Sequence, residues 1–200
     1  MALGKQAKTL SPKQVDVALS YLATTRHGLR NQVIFLLSVK AGLRAKEIAS
    51  LRWSMVVDAS GHLGSTINLT NDASKGDTGG RCIPINKQLH GVLAQWFGVA
   101  QVRRGFDLHN AHVISTERSP CTGAQSVVNQ FARWYADLGF VGCSSHSGRR
   151  TFITNAARKI GSVGGSVRDV QLMAGHSNLN TTQRYIEADA ECQRRVVDLV

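Results

Sequence analysis

Gly175-His176-Ser177-Asn178-Leu179-Asn180-Thr181-Thr182-Gln183-Arg184-Tyr185 is the stretch on which the reading of this 200-residue chain turns. A helix-breaking glycine is followed by a histidine, and Asn180 or Thr181 offers the short polar side chain that caps a helix. A last helix carrying Tyr185 is therefore predicted, with His176 nine residues before that tyrosine. Taken alone, the histidine reads as a satisfied loop residue and the tyrosine as a half-buried packing residue.

Working outward, Ser166 followed by Asp169 resembles a capping box, with Asp in place of the usual Glu, and Gly161 to Gly165 reads as a loop between two helices. His146-Ser147-Gly148-Arg149 opens the helix before that loop. Helical periodicity is also predicted over Thr122 to Leu138 and Leu89 to Val102, with a short extended piece at His112 to Ser115 between them. Thr66, Ile67 and Leu69 within His62 to Thr70, then Arg81 to Ile85, read as two strands of a hairpin whose turn-rich tip carries Lys75. Leu43 to Trp53 is expected to be helical and includes Arg44, Lys46, Glu47 and Arg52. Before it, Val33 to Val39 is apolar nearly all round, as a central helix should be, and Gly42 ends it. Ser11 with Pro12 starts a first helix through Val15, Ala18, Leu19 and Leu22. The expectation is a mainly α domain with a small antiparallel β-hairpin insert over 10–186, preceded by a flexible start (1–9) and followed by a tail (187–200) whose apolar end packs on its own domain or a neighbour.

Lys and Arg number 24 against 13 Asp and Glu, a formal net charge of +11. That excess points to a polyanionic partner, and nucleic acid is the commonest, because each neutralised phosphate releases counterions. A basic protein that is merely soluble is the plainer alternative. No apolar run approaches the roughly 20 residues of a membrane span, and no secretory signal opens the chain. Cys82, Cys121, Cys143 and Cys192 are scattered, with neither a Cys-x-x-Cys pair nor zinc spacing. Such thiols suit a reducing cytosol. His109 and His112 form a His-x-x-His pair without a third ligand, so no metal is expected.

Each polar feature is weak in isolation: Arg44 and Glu47, three residues apart, are an ordinary surface ion pair, and Lys75 is an exposed turn lysine. Together they supply what metal-free cleavage of a phosphodiester requires, namely a nucleophile, positive charge at the non-bridging oxygens, a proton acceptor and a proton donor. Tyr185 is the candidate nucleophile. Arg44 and Arg149 are candidate phosphate forks, His176 a further hydrogen-bond donor, His146 the proton acceptor and Lys75 the donor to the leaving oxygen. Glu47 is assigned to support. Lys46, Arg52, Arg81, Arg150 and Arg184 are candidate phosphate contacts.

The order of these features resembles the tyrosine recombinase, or phage integrase, family. There an arginine sits in a Gly-[Leu/Phe]-Arg-x-x-Glu-[Ile/Leu] segment, a lysine lies on a β-hairpin, and His-x-x-Arg, Gly-His and a tyrosine nine residues later follow. Here Gly42 to Ile48, Lys75, His146 to Arg149, Gly175-His176 and Tyr185 match, and the likeness runs from about Leu10 to Ile186. The resemblance implies the recombinase catalytic-domain fold, a 3′-phosphotyrosyl intermediate, no cofactor, and site-specific recombination of double-stranded DNA by integration, excision, inversion or resolution, as for a mobile element. It implies self-assembly from dimer to tetramer on DNA, a possible accessory DNA-binding protein and a cytoplasmic, nucleoid-associated location. Most of the family carries a further helical domain before the catalytic one. The length here is similar to the small fimbrial phase-variation recombinases. Alternatives are a DNA-binding regulator without strand transfer and a strand-relaxing topoisomerase of type IB.

Overall fold

The computed structural model describes residues 7–73, 80–185 and 197–198. Lys75, the hairpin tip and nearly all of the predicted tail, Cys192 included, lie outside the described residues.

Helix α1 (Pro12–Ala23) starts as its sequence dictates: the Ser11 hydroxyl accepts from the Gln14 amide at 3.2 Å, and the Gln14 side chain accepts from the Ser11 amide at 2.9 Å. Its buried Val15, Ala18, Leu19 and Leu22 lie at helical spacing and face α2 (Gly28–Ala41). In α2, every residue from Val33 to Val39 is buried, since α1, α4 (Lys87–Gln101) and α6 (Ser147–Lys159) cover it from several sides. Each such large apolar side chain contributes roughly 1.5–3 kcal/mol relative to exposure. α3 (Ala45–Ser50) packs on α5 (Ala124–Asp137), which brings an aromatic cluster of Phe131, Trp134 and Tyr135 to the centre, with Phe131 6.4 Å from Phe35 between ring centroids.

The hairpin pairs β1 (Thr66–Leu69) with β2 (Arg81–Pro84) antiparallel, Ile67 opposite Ile83, both fully buried. The strands are shorter than predicted. β2 lies against α7 (Val167–Ala174), which fixes the hairpin to the helical body. The extended piece around His112 exists as a bridge to Arg52.

Three predicted boundaries move. The helix expected over Leu43 to Trp53 is confined to α3: Arg44 takes the N-cap with an extended backbone, Leu51 is extended, and a separate 3₁₀ turn follows at Trp53–Met55. The loop at Gly161 to Gly165 is largely a 3₁₀ turn, Ile160–Val163, closed by Gly164. The last helix, α8 (Leu179–Gln183), is capped by Asn178, whose side chain accepts from the Asn180 amide at 2.8 Å. Asn178 precedes both residues favoured from sequence, and α8 therefore stops before Tyr185, which follows its C-cap Arg184. The Asp variant of the capping box is real: one carboxylate oxygen of Asp169 accepts from the Ser166 amide at 2.7 Å and from its hydroxyl at 3.0 Å.

Candidate active site

Two helices end on left-handed glycines, and one arginine joins their ends. Gly42 (φ 67°) closes α2 and Gly175 (φ 63°) closes α7. A left-handed turn leaves the last carbonyls of a helix without intrahelical partners and concentrates the negative end of its dipole there. Arg149, on the first turn of α6, donates Nη1 to the Gly42 carbonyl and Nη2 to the Ala174 carbonyl, both at 2.6 Å. It is 4% exposed, so these bonds fix the fork rather than tether a mobile chain. Burial above all, then the neighbouring Arg44 charge, pull its pKa down to about 9; it stays protonated at neutral pH.

Close approach of α6 to α2 makes this reach possible. A Cβ on Gly148 would lie 2.4 Å from the Ser38 hydroxyl oxygen, so the glycine of His146-Ser147-Gly148-Arg149 is needed for packing.

Glu47 organises the second arginine. Fully buried at 0% exposure, it accepts from the Arg44 amide (2.7 Å), from Arg44 Nη1 (2.8 Å), and from Arg81 Nη1 and Nη2 (2.9 and 2.8 Å). Burial pushes the carboxyl pKa up, but the hydrogen bonds and charges of Arg81 and Arg44 outweigh it, and the net shift is down. Arg81 Nε also donates to the Met173 carbonyl at 3.0 Å, a further capped carbonyl of α7.

His176 is held between α7 and α8. The Gln171 amide nitrogen donates to its carbonyl at 2.8 Å, and its ring Nδ1 lies 2.9 Å from the Thr182 hydroxyl. The imidazole stacks on the Tyr185 ring, with centroids 5.8 Å apart and planes 18° from parallel. Burial, and after it the charges of Arg149, Arg44 and Arg81, lower the His176 pKa to about 4, so the ring is neutral at pH 7. Tyr185 packs against the small second core of Ile153, Val170 and Ala174, which ties its ring to α6 and α7.

These side chains share a cleft of about 500 Å³ lined by Arg44, His146, Arg149, His176 and Tyr185 together with Arg150 and Arg184. Five of the six residues assigned to chemistry from sequence therefore meet in one place; the sixth, Lys75, lies outside the described residues. Among the described residues four arginines and no carboxylate line the cleft, an arrangement suited to an anion with two or more oxygens held against a phenol.

The candidate phosphate contacts divide. Arg150 and Arg184 line the cleft, the former with Nη1 on the Ala7 carbonyl at 2.9 Å. Arg81 has all three guanidinium nitrogens engaged by Glu47 and Met173 and, unlike Arg149, does not line the cleft, so its fork faces protein. Arg52 hydrogen-bonds Asn110 at 3.2 Å, and neither it nor the exposed Lys46 lines the cleft. The sequence reading did not single out Thr182 or Gln171, although both lie five or six residues from His176. Among the described residues no three His, Cys, Asp or Glu side chains form a metal-binding group, and no helix is long and apolar enough to cross a membrane.

The chain is 27% identical over 179 residues to a protein named tyrosine recombinase XerD from Lacticaseibacillus casei, covering 88% of this chain and 57% of that one. It is 26% identical over 200 residues to tyrosine recombinase XerC of Shewanella sp. (strain ANA-3), covering 97% and 62%. The chain thus spans about three-fifths of the length of these curated relatives. Among solved structures, the crystal structure of XerA recombinase superposes with a TM-score of 0.72 at 22% identity, over 96% of this chain and 64% of that one. XerH bound to its difH substrate superposes with a TM-score of 0.72 at 17% identity, over 98% and 55%. The fold is that of a tyrosine recombinase catalytic domain. Residues 8–191 match the sequence pattern of the phage integrase family, and the chain belongs to that family.

Proposed function

We propose that this chain is the catalytic domain of a site-specific recombinase, which breaks and rejoins double-stranded DNA without a metal through a 3′-phosphotyrosyl intermediate. The observation that carries the reading is the convergence of Tyr185 with Arg44, Arg149, His176 and His146 in one cleft, lined by no carboxylate among the described residues. Arg44 and Arg149 face the non-bridging oxygens of the scissile phosphate, where fixed donors gain strength as negative charge develops. His176 adds a hydrogen bond to the same oxygens. The Tyr185 phenolic oxygen attacks phosphorus and its proton passes to His146. The bond from phosphorus to the 5′ oxygen breaks, and Lys75 protonates that oxygen. Attack by the 5′ hydroxyl of another strand reverses each transfer, so the phosphodiester energy is conserved and no cofactor enters.

Residues 10–186 are the catalytic unit, with 1–9 leading into it and 187–200 as a tail. The substrate class is supported by the +11 charge and by the XerH complex on difH. By analogy with the family, the same reading extends to assembly from dimer to tetramer on DNA, to room for an accessory DNA-binding protein and to a cytoplasmic, nucleoid-associated site of action. A duplex pool carrying bridging 5′-phosphorothiolates tests the reading, because the thiol released on cleavage does not rejoin. A protein–DNA adduct on a denaturing gel, lost in Tyr185→Phe, is the expected result. Retained DNA binding with no adduct from any duplex in the pool would instead favour a regulator.

A further inference from the structure

We propose that Thr182 is a positioning residue: its hydroxyl donates to Nδ1 of His176 and so holds that ring with its single proton on Nε2, ready to donate to a substrate oxygen. The role assigned to the donor rests on the functional reading above; the tautomer itself does not.

Thr182 is 0% exposed, and its Oγ1 has one hydrogen-bond partner among the described residues, His176 Nδ1 at 2.9 Å. A hydroxyl carries one proton, and burying it without an acceptor costs roughly 1–3 kcal/mol. Nδ1 is the acceptor on hand, and it accepts only if its own proton is absent. A neutral imidazole carries its proton on one nitrogen or the other, so the bond from Thr182 places it on Nε2.

Neutrality has its own cause. Arg149, Arg44 and Arg81 stand around the ring, and Tyr185 covers one face. Burial and these three charges disfavour a further cation, so His176 enters the reaction as a one-proton donor. In the other tautomer, Nε2 would present a lone pair to the anionic oxygens of the substrate, and attraction would turn to repulsion. The choice of tautomer thus decides whether His176 helps or opposes the transition state.

The same threonine also reaches the nucleophile. Its backbone carbonyl accepts from the Tyr185 amide at 3.0 Å, where the chain leaves α8. One residue therefore sets the ring state of His176 through its side chain and the departure of the chain toward Tyr185 through its backbone. Gln171 completes the clamp from α7: it is 3% exposed, donates to the His176 carbonyl at 2.8 Å, and has its own side-chain oxygen held by Arg168 at 2.8 Å. Gln171 holds the backbone and leaves the ring free to turn, so the tautomer depends on Thr182.

The test uses the full chain and two variants, Thr182→Val, which keeps the shape and removes the hydroxyl, and Thr182→Ser, which restores it. Nitrogen-15 NMR of the histidine rings, assigned with His176→Gln, reads the tautomer without DNA. The expected result is an Nε2 proton on His176 in the wild type and in Thr182→Ser, and a mixture of both tautomers in Thr182→Val. Single-turnover cleavage of a phosphorothiolate duplex should slow roughly ten- to a hundredfold in Thr182→Val, no more than loss of one charge-stabilising donor costs. Thr182→Ser should recover most of that rate, and DNA affinity should be unchanged. A wild-type ring protonated on Nδ1 overturns the proposal outright, even if Thr182→Val does not fold. A Thr182→Val ring still protonated only on Nε2 overturns it equally. If the tautomer behaves as expected and no variant, wild type included, forms an adduct, the positioning stands and the assignment of recombinase chemistry fails.

Discussion

Arg81 and Glu47 face each other fork to fork, Nη1 on Oε1 at 2.9 Å and Nη2 on Oε2 at 2.8 Å, across the gap between β2 and α3. Glu47 is fully out of water and the Arg81 side chain nearly so, which makes the pair a strut: it ties the hairpin to the helix whose cap is Arg44. Removing one partner of a buried pair strands the other charge. Glu47→Ala should lower the unfolding free energy by about 3–5 kcal/mol, the range for breaking a buried ion pair. Urea denaturation checks this, and a loss below about 1 kcal/mol would mean that the pair behaves as a solvated one.

Gly42 meets two demands at once. Its φ of 67° is the left-handed turn that frees its carbonyl for Arg149, and a Cβ there would lie 2.5 Å from the Phe152 ring. Gly42→Ala carries the left-handed penalty of roughly 1–2 kcal/mol and a steric clash in addition. It should destabilise the chain by more than about 2 kcal/mol in thermal unfolding. Gly175→Ala has the same backbone penalty, but its Cβ would meet Arg81 Nη1 at 2.9 Å, a shallower overlap than the 2.5 Å to the Phe152 ring at Gly42. The milder of the two variants should therefore be Gly175→Ala.

The depressed pKa of His176 makes stability depend on pH. Unfolded, the ring takes up a proton as pH falls through its ordinary value near 6.5; folded, it resists until about 4. Between those values the unfolded state binds more protons, so this contribution is complete above about pH 6.5, falls as pH drops, and levels below 4. The slope is at most about 1.4 kcal/mol per pH unit, and less for a ring that solvent partly reaches. Melting temperatures of the wild type and His176→Gln, measured from pH 7 to pH 4, should converge toward the acid end.

Most of this architecture was legible because local signals agreed with the global fold. Ser11-Pro12 and Ser166 with Asp169 mark helix starts that the structure keeps, and the apolar run of α2 is central as its pattern requires. What could not be read was long range. Arg81 looked like Arg150 and Arg184, three exposed-type cations near the motif, and only the partner 34 residues away in sequence separates the strut from the cleft residues. The caps of short segments were also ambiguous, since Asn178, Asn180 and Thr181 are all good N-caps by residue type, and the structure takes the first. A shared partner such as Thr182 leaves no trace in spacing, because a buried hydroxyl is visible only once its acceptor is in place.

That division among the arginines gives a salt-dependence prediction. A side chain that neutralises a phosphate releases counterions, so its removal should lessen the slope of log K against log salt by about 0.9. Arg184 is exposed at the rim of the cleft, and Arg184→Gln should lessen the slope by that amount without changing the melting temperature. Arg81→Gln should do the reverse, leaving the slope as it is and lowering the melting temperature, because its charge is already matched by Glu47. Arg150 lies between these cases: it lines the cleft while one of its nitrogens holds the Ala7 carbonyl, so Arg150→Gln should lessen both quantities. Fluorescence anisotropy with a nonspecific duplex over a salt series, beside thermal melts of the same samples, separates the three. Equal slopes for Arg184→Gln and Arg81→Gln would mean that DNA rearranges the Glu47 strut on binding, since a guanidinium cannot remain bidentate to a carboxylate and also replace a counterion.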